Sequence, residues 1–294
     1  MMNNHRILVT GSEGFIGKAL HQRLLSNPRL YELFTIDRNG FGANHRTVDI
    51  TSDKLDSAVV KINPATIIHL AGNVSLQFSI ENPLADFKSN AFGTLNLILS
   101  ALKTQCRNFI YITSGGAIYD TSAALPVGET ALINPVSPYG LSKSIGEEYL
   151  RLLADGQLNW TSLALSNCYG SVREQKKGFI FSMWRDLSEG TRPKVYGPTV
   201  SRDFIYIRDV LDAIELAIET PTNRRVNISS GRGITLIDLY SKITHLLDSR
   251  IDPEILPFSP KGVFESCLDN SLARDLLGWS PKVDIDEGLR LSLT

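Results

Sequence analysis

The sequence predicts an α/β protein with a doubly wound parallel sheet and a smaller C-terminal lobe. Two observations support this fold class. Over the first two-thirds of the chain, short apolar runs alternate with longer amphipathic stretches, which is the order of strands and helices in repeated βαβ units. A glycine-rich string from Gly11 to Gly17 follows the first apolar run and opens the first amphipathic stretch, as in Rossmann-type sheets.

The predicted elements alternate through the large domain. The candidate strands are residues 7–10, 33–37, 67–70, 108–113 and 161–165. Helices are expected at 17–25, 83–102 and 138–153, where apolar residues recur at three- and four-residue spacing. Because parallel strands need crossover connections, we expect each unit to be right-handed.

Beyond residue 170 the alternation loosens. Residues 173–177 are charged and loop-like, 178–189 look helical, and 190–201 hold Gly and Pro at turn spacing. A strand at 204–206, a helix at 209–218 and a strand at 226–228 follow, then helices at 236–247, 271–277 and 286–291. We therefore predict a large domain of residues 1–170, completed by about 204–230, and a smaller lobe of residues 171–203 and 231–294.

Composition excludes several classes of protein. With 30 basic and 31 acidic residues, the formal net charge is −1, so no overall field recruits nucleic acid or an anionic membrane. The three cysteines are odd in number and widely spaced, which argues against a disulfide framework or a thiolate metal site. No histidine has a partner at metal-ligand spacing, and no uncharged apolar run reaches the ~18 residues of a membrane span. We expect a cytoplasmic protein without a metal, a nucleic-acid partner or a membrane span.

The glycine-rich string predicts a dinucleotide site in the large domain. Gly11 would make the turn after the strand, Gly14 would admit a pyrophosphate closely, and Gly17 would let helix and strand pack together. The backbone at Phe15 and Ile16 would then present the positive end of the helix to the phosphates. A glycine-rich turn without a ligand remains the alternative for this motif alone.

Later residues extend the predicted site. Asp37 ends the second strand, where a carboxylate can accept hydrogen bonds from ribose hydroxyls and repel a 2′-phosphate, so NAD is favoured over NADP. Arg38 acts against this preference because a guanidinium can bind a phosphate. Asp49 and Ile50 would lie at the adenine, although a solvated loop carboxylate is an equal alternative for Asp49.

A string of small residues closes the next predicted strand. Leu70, Ala71 and Gly72 let the backbone pass close to a ligand, so we assign them to the cofactor side. His69 precedes them, and we expect it to be a core histidine rather than a catalytic one.

Tyr139 and Lys143 lie four residues apart on a predicted helix and therefore share one face. An unperturbed phenol titrates near 10, but a nearby ammonium and a positively charged nicotinamide both favour the phenolate. Lys143 can also bond the nicotinamide ribose. An isolated pair of this spacing occurs by chance in any long helix, so its value depends on the other motifs.

Taken together, these strings resemble the extended short-chain dehydrogenases/reductases, specifically the sugar-nucleotide epimerase/dehydratase group. The resemblance covers nearly the whole chain. Its strings lie at residues 11–17, 37, 69–71, 90–94, 114–119, 137–143, 167–170, 201–206 and 276–279.

The resemblance implies a bound NAD that takes a hydride from a sugar carbon. Tyr139 would exchange the hydroxyl proton, Lys143 would tune it, and Asn90 would belong to the cofactor site. In members similar to UDP-galactose 4-epimerase, the 4-keto sugar rotates and receives the hydride on its other face. The resemblance also implies a homodimer, formed by helices containing residues 87–102 and 138–153.

One departure concerns the third catalytic member. Where the family has a Ser or Thr that bonds the reacting hydroxyl, this chain has Gly115. Ser114 is the adjacent hydroxyl and Thr113 a weaker candidate, while a purely structural Ser114 is the alternative. We assign Ser114, Gly115 and Tyr139 to the contact with the sugar.

The substrate's nucleotide end is marked by two further matches. Asn167 resembles the family's phosphate-binding asparagine, and Arg202 the arginine that pairs with the nucleotide's phosphate or base. A surface arginine, or one paired with Asp203, is the alternative for Arg202. Ala164 replaces a family arginine, and Lys261 can take over its task, although a solvated lysine is equally expected there.

The leading functional hypothesis is an NAD-dependent sugar-nucleotide epimerase that inverts C4 of a nucleotide-diphosphate hexose through a 4-keto intermediate. One alternative is an NAD(P)H-dependent 4-keto sugar-nucleotide reductase. A second is a non-catalytic NAD-binding sensor or scaffold. A 4,6-dehydratase is disfavoured because residues 114–116 lack the carboxylate pair that this reaction needs.

Overall fold

A computed structural model describes residues 5–26, 31–154, 156–258 and 263–293 of the chain. In these ranges the strands are β1 (His5–Thr10), β2 (Tyr31–Asp37), β3 (His45–Thr47), β4 (Thr66–His69), β5 (Asn108–Ser114), β6 (Asn159–Leu165), β7 (Asn167–Tyr169), β8 (Lys194–Tyr196), β9 (Ser201–Tyr206), β10 (Arg224–Ile228), β11 (Gly233–Thr235) and β12 (Glu254–Leu256). The helices are α1 (Phe15–Leu25), α2 (Lys54–Ile62), α3 (Leu76–Glu81), α4 (Pro83–Phe87), α5 (Gly93–Ala101), α6 (Gly115–Ile118), α7 (Pro138–Leu153), α8 (Val172–Gln175), α9 (Phe179–Ser188), α10 (Ile207–Glu219), α11 (Leu236–Leu246), α12 (Ser271–Leu277) and α13 (Ile285–Leu293).

Seven parallel strands form the central sheet in the order β3-β2-β1-β4-β5-β6-β10. The chain reverses its direction of travel across the sheet between β1 and β4, so the carboxyl ends of these two strands form the topological switch point. Both faces of the sheet are covered by helices. The predicted doubly wound, Rossmann-type fold is therefore confirmed.

Burial on both faces explains the continuous apolar strands. In β1, Ile7 and Val9 belong to the core cluster that includes α1 and α10, whereas Leu8 belongs to the cluster with α2, α5 and α7. All three side chains are completely buried. Successive side chains of β1 thus pack against the helices on opposite faces of the sheet. This packing fixes the strand and its carboxyl end within the sheet.

Two further, small sheets are present in the described ranges. Strands β7, β9 and β11 form one of them, and β8 pairs with β12 in the other. Within the stretch 204–230, β10 joins the central sheet, but the strand predicted at 204–206 lies in β9 and pairs with β7 and β11. This stretch therefore contributes to both sheets, and the division into two domains stays a prediction.

The helix predicted at 83–102 is interrupted. Between α4 and α5, residues Lys88–Phe92 form a π-helical turn, in which the hydrogen bonds span one residue more than in an α-helix. The structure also places the short helix α8 where a loop was expected. Elements that were not predicted are β3, β7, β8, β11, β12, α2, α3 and α6. In the described ranges, no helix is long and apolar enough to span a membrane.

Candidate active site

The glycine-rich loop after β1 is a cradle that side chains would fill. Gly11 has a left-handed backbone (φ 76°), and a β-carbon there would lie 2.5 Å from the Ala71 nitrogen. A β-carbon at Gly17 would lie 2.1 Å from the Gly11 oxygen, whereas one at Gly14 would keep 3.2 Å from the same atom. Two of the three glycines are thus required by the fold, and Gly14 is not.

The first turn of α1 offers free hydrogen-bond donors to this cradle. Gly14 caps the helix without a side-chain bond, which leaves backbone N–H groups of the first turn pointing into the loop. The Ser12 hydroxyl is buried and has no hydrogen-bond partner among the described residues. The N–H groups of the first turn and the Ser12 hydroxyl fit a pyrophosphate, because an anion at this position would accept hydrogen bonds from both. Ser12 was not predicted as a site residue. Its signal is its position inside the glycine-rich string.

The Asp37 carboxylate is bonded to this loop. It accepts a hydrogen bond from the Glu13 nitrogen at 3.0 Å and another from the Asn39 nitrogen at 3.2 Å. Its contact with ribose hydroxyls stays a prediction. Arg38 next to it is exposed.

Asp49 and Ile50 have mainly structural contacts. Asp49 Oδ1 accepts hydrogen bonds from the nitrogen and the hydroxyl of Thr51, both at 2.8 Å, and so shapes the turn before α2. Ile50 is buried against α5, where a β-carbon at Gly93 would lie 2.6 Å from Ile50 Cδ1. The adenine contact of these residues stays a prediction.

The loop after β4 runs beside the glycine-rich loop. The nitrogens of Leu70 and Ala71 donate to the carbonyl and the hydroxyl of Thr10, at 3.1 and 3.4 Å. Gly72 approaches Asn90 so closely that a β-carbon would lie 2.5 Å from Asn90 Oδ1.

Asn90 is used by the protein itself. Its buried amide donates to the Asn73 carbonyl at 3.0 Å and to Asp86 Oδ1 at 2.9 Å, and its oxygen accepts from the Asn73 nitrogen at 2.8 Å. Both amide protons are therefore occupied within the chain. Asn90 lies behind the cofactor-side loop and holds it in place.

His69 is a core histidine, as predicted. Its ring nitrogens lie 2.7 Å from the Thr10 hydroxyl and 2.9 Å from the Thr94 hydroxyl, and its ring stacks on Tyr111. Complete burial lowers the pKa of His69 to about 3, and the positive charge of Lys143 adds to this effect.

Helix α7 brings Tyr139 to the end of β5. The helix begins with Pro138, and the Ser137 hydroxyl caps it by accepting from the Gly140 nitrogen at 3.1 Å. A β-carbon at Gly140 would lie 2.1 Å from the Ala117 oxygen, so the helix can pack directly on α6 only because this residue is glycine. The Tyr139 phenol then lies beside the side chain of Ser114, the last residue of β5.

Burial drives both groups of the predicted acid/base pair toward their neutral forms. Desolvation raises the pKa of Tyr139 to about 12, the bond with Ser114 opposes this rise, and Asp86 adds to it. Desolvation lowers the pKa of Lys143 to about 7, against the charges of Asp86 and Glu147. The Lys143 nitrogen lies 4.4 Å from the centre of the Tyr111 ring. A positive charge bound next to the phenol would favour the phenolate.

The structure distinguishes between the candidate hydroxyls. Ser114 reaches Tyr139, whereas the Thr113 hydroxyl is buried without a partner among the described residues. Gly115 has no room for a side chain, since a β-carbon would lie 2.4 Å from Leu268 Cδ1 and 3.3 Å from the Ala164 oxygen. The hydroxyl beside the phenol therefore comes from one residue earlier than the family pattern suggests.

A cavity of about 400 Å³ lies next to Gly115 and Gly116 and is also lined by Val263 and Phe264. The exposed Asn167 is near it, because a β-carbon at Gly116 would lie 3.8 Å from Asn167 Oδ1. The cavity thus lies between the end of β5 and the segment 263–268.

Arg202 is bonded to Val263 and Phe264, which line this cavity. Its guanidinium donates to the carbonyls of Val263 at 2.7 Å, Phe264 at 3.1 Å and Ser201 at 2.7 Å. It is not paired with Asp203, whose carboxylate accepts from the nitrogens of Ser230, Gly231 and Leu268 instead. Burial lowers the pKa of Arg202. Lys261, the other predicted cation, lies outside the described residues.

Comparisons with known proteins agree with this geometry. The sequence model of the NAD dependent epimerase/dehydratase family matches residues 7–229. The chain is 32% identical over 298 residues to a putative UDP-glucose 4-epimerase of Methanocaldococcus jannaschii, covering 97% of this chain and 96% of that protein. The crystal structure of UDP-glucose 4-epimerase from Thermotoga maritima with UDP-glucose superposes with a TM-score of 0.93 at 30% identity, over 98% of this chain and 97% of that one. The UDP-glucose 4-epimerase of Thermus thermophilus in complex with NAD gives 0.90 at 27% identity, with coverages of 98% and 97%.

Proposed function

Because the chain belongs to the NAD-dependent epimerase/dehydratase family, we propose that it inverts C4 of a UDP-hexose such as UDP-glucose. The observation that carries this proposal is the position of the Ser114 side chain beside the Tyr139 phenol, on the helix of Lys143 and next to the cavity at Gly115. Ser114 thus supplies the hydroxyl that the family pattern places at the position of Gly115. It also removes the reason to regard the chain as a non-catalytic binding protein.

When bound, NAD would supply the hydride-transfer chemistry for oxidation at C4 and for the reduction that restores the alcohol. The residues that would hold NAD are the first-turn amides of α1, Ser12 and Asp37. Tyr139 removes the proton of the C4 hydroxyl as the keto group forms, and gives it back when the hydroxyl is restored. Ser114 orients that oxygen, and Lys143 in its charged form favours the phenolate.

Arg202 and Asn167 are the residues that we propose for the nucleotide end. Both lie in the sheet formed by β7, β9 and β11. The Arg202 guanidinium suits a diphosphate because its planar fork can form paired, charge-assisted hydrogen bonds. Its bonds to Val263 and Phe264 would couple substrate binding to the wall of the cavity.

We also infer a homodimer in the cytoplasm. Six large apolar side chains on α4, the π-helical turn, α5 and α7 are at least 45% exposed: Leu84, Phe87, Phe92, Leu99, Leu141 and Leu152. Pairing these helices with those of a second copy would bury them in a four-helix bundle. Cys106, Cys168 and Cys267 are free thiols, in keeping with a reducing compartment.

The test incubates purified protein with UDP-glucose, and in parallel with GDP- and dTDP-hexoses, and separates the products by chromatography. The expected result is conversion of UDP-glucose to its C4 epimer without added NAD(P)H. Stoichiometric consumption of NAD(P)H with a 4-keto sugar would identify a reductase instead, and NAD binding without turnover a sensor. Tyr139→Phe should abolish conversion while retaining NAD, so wild-type turnover by this variant would contradict the proposed chemistry.

A further inference from the structure

Asp86 on α4 is completely buried next to the helix that carries Tyr139 and Lys143. Its Oδ2 lies 2.6 Å from the Ser142 hydroxyl, and its Oδ1 accepts from the side-chain amides of Asn73 at 3.0 Å and Asn90 at 2.9 Å. Three donors thus surround this one carboxyl group. Within the described ranges, no arginine or lysine nitrogen lies within the 4.0 Å of an ion pair with Asp86.

Several ionisable groups face Lys143 from the elements packed around it. They are Asp86 from α4, Tyr139 and Glu147 from the turns of α7 on either side, His69 from β4 and Tyr111 from β5. Asp86 and Glu147 are the two carboxylates in this group. Glu147 already has a cationic partner, because Arg225 on β10 donates to its Oε1 with Nε at 2.8 Å, and Ser162 donates to its Oε2 at 2.6 Å. Asp86 has only neutral partners, so its charge is the one left uncompensated.

We propose that Asp86 is the buried counter-ion of Lys143, a positioning residue whose negative charge keeps the buried ammonium protonated. The catalytic consequence rests on the proposed function, since only a charged Lys143 can stabilise the Tyr139 phenolate. The pKa of Lys143 supports this effect of the Asp86 charge. Desolvation lowers it to about 7, and Asp86 is the larger of the two charges that oppose this fall.

Asp86 also joins the two halves of the site. Through Ser142 it contacts α7, and through Asn73 and Asn90 it holds the loop after β4 that lies on the cofactor side. One carboxylate therefore sets the charge of Lys143 and the position of the neighbouring loop. A test must change the charge without breaking these bonds.

Asp86→Asn meets this requirement. In the variant, the new amide oxygen can still accept from Asn73 and Asn90, and the new amide nitrogen can donate to the Ser142 oxygen. The Ser142 hydroxyl then has another acceptor, because it lies 3.0 Å from the Tyr139 carbonyl. Glu148→Gln is the matched control: it removes an exposed carboxylate from the same helix, one that pairs with Arg151 instead of facing Lys143. Asp86→Ser removes the charge with a smaller side chain and replaces Asp86→Asn if that chain does not fold.

The first measurement is the titration of Lys143 by NMR in protein with ¹³C/¹⁵N-labelled lysine, assigned by comparison with Lys143→Met. It needs no substrate and no turnover. Asp86→Asn is expected to lower the pKa of Lys143 by about one pH unit or more, while Glu148→Gln leaves it unchanged. An unchanged Lys143 titration in Asp86→Asn, or an equal shift in Glu148→Gln, would overturn the proposal.

The second measurement is the pH profile of kcat/KM with UDP-glucose. The alkaline limb, on which Lys143 loses its proton, is expected to move to lower pH in Asp86→Asn, so that lowering the pH restores activity. A purely structural role would instead reduce activity equally at every pH and leave the limb in place, which would contradict the inference. If wild-type protein converts no sugar nucleotide, the proposed function fails, and the lysine titration still decides the role of Asp86.

Discussion

Ser114→Ala tests the assignment of the third catalytic hydroxyl. Ser114 is the residue of β5 whose side chain lies beside the Tyr139 phenol, within reach of a hydrogen bond to the reacting oxygen. A hydrogen bond to a group that carries charge during the reaction contributes about 1.5–3 kcal/mol. Its loss from the transition state should therefore lower kcat by about 10- to 150-fold. NAD binding should be unchanged, since the cradle at Gly11 lies on another strand end.

The neighbouring residues provide matched controls. Thr113→Val keeps the shape of the side chain and removes a buried hydroxyl that has no partner among the described residues, so kcat should stay near wild type and stability should not fall. Gly115→Ala should lower the melting temperature, because its β-carbon would lie 2.4 Å from Leu268 Cδ1. Ser114→Thr retains a hydroxyl and should recover part of the lost rate.

The assay follows conversion of UDP-glucose by coupled spectrophotometry under saturating substrate, with NAD content measured on the same samples. Thermal melts establish that each variant is folded at the assay temperature. The reasoning is refuted if Ser114→Ala converts substrate at the wild-type rate. It is equally refuted if Thr113→Val, and not Ser114→Ala, loses activity, because the hydroxyl would then come from the other face of β5.

Three further predictions concern the cofactor side and the core. Gly17→Ala should melt at a lower temperature and lose NAD, because its β-carbon would lie 2.1 Å from the Gly11 oxygen. Gly14→Ala, at 3.2 Å, should lower the melting temperature much less while still weakening NAD binding if Gly14 admits the pyrophosphate closely; calorimetry and NAD titration compare the two variants. Asp37→Ser should raise the affinity for NADP relative to NAD by removing the carboxylate at the ribose, and a preference unchanged in competitive binding would count against its predicted role. The folded-state pKa of His69 is about 3 against 6.5 unfolded, so its contribution to stability is full above pH 6.5 and is lost as the pH falls toward 3. His69→Gln should therefore reduce the difference in unfolding free energy between pH 7 and pH 5 by about 2 kcal/mol in urea titrations, and an undiminished difference would contradict this assignment.

Local patterns in the sequence account for much of the site. Strands buried on both faces need continuous apolar runs, and glycine spacing reports where the backbone must turn and pack closely, so β1 and the cradle at Gly11 and Gly17 were predictable. The four-residue spacing of Tyr139 and Lys143 places them on one helical face for the same reason, since helix geometry is local. The pattern at 83–102 gave no sign of the π-helical turn, because a single extra residue in a helix barely alters its apolar periodicity.

Contacts between distant segments depended on packing alone. Asp86 and Ser142 are 56 positions apart, and no periodicity indicates that their side chains meet at 2.6 Å beside Lys143. Leu268 leaves no space at Gly115, which assigns the hydroxyl to Ser114, and the carbonyls of Val263 and Phe264 occupy donors of Arg202 that the sequence suggested would pair with Asp203 or a ligand. Motif spacing determines the backbone frame and the face of a helix. The identity of each side chain's partner follows only from the tertiary packing of these elements. The same packing determines the charge of the catalytic groups and the contacts that they can make.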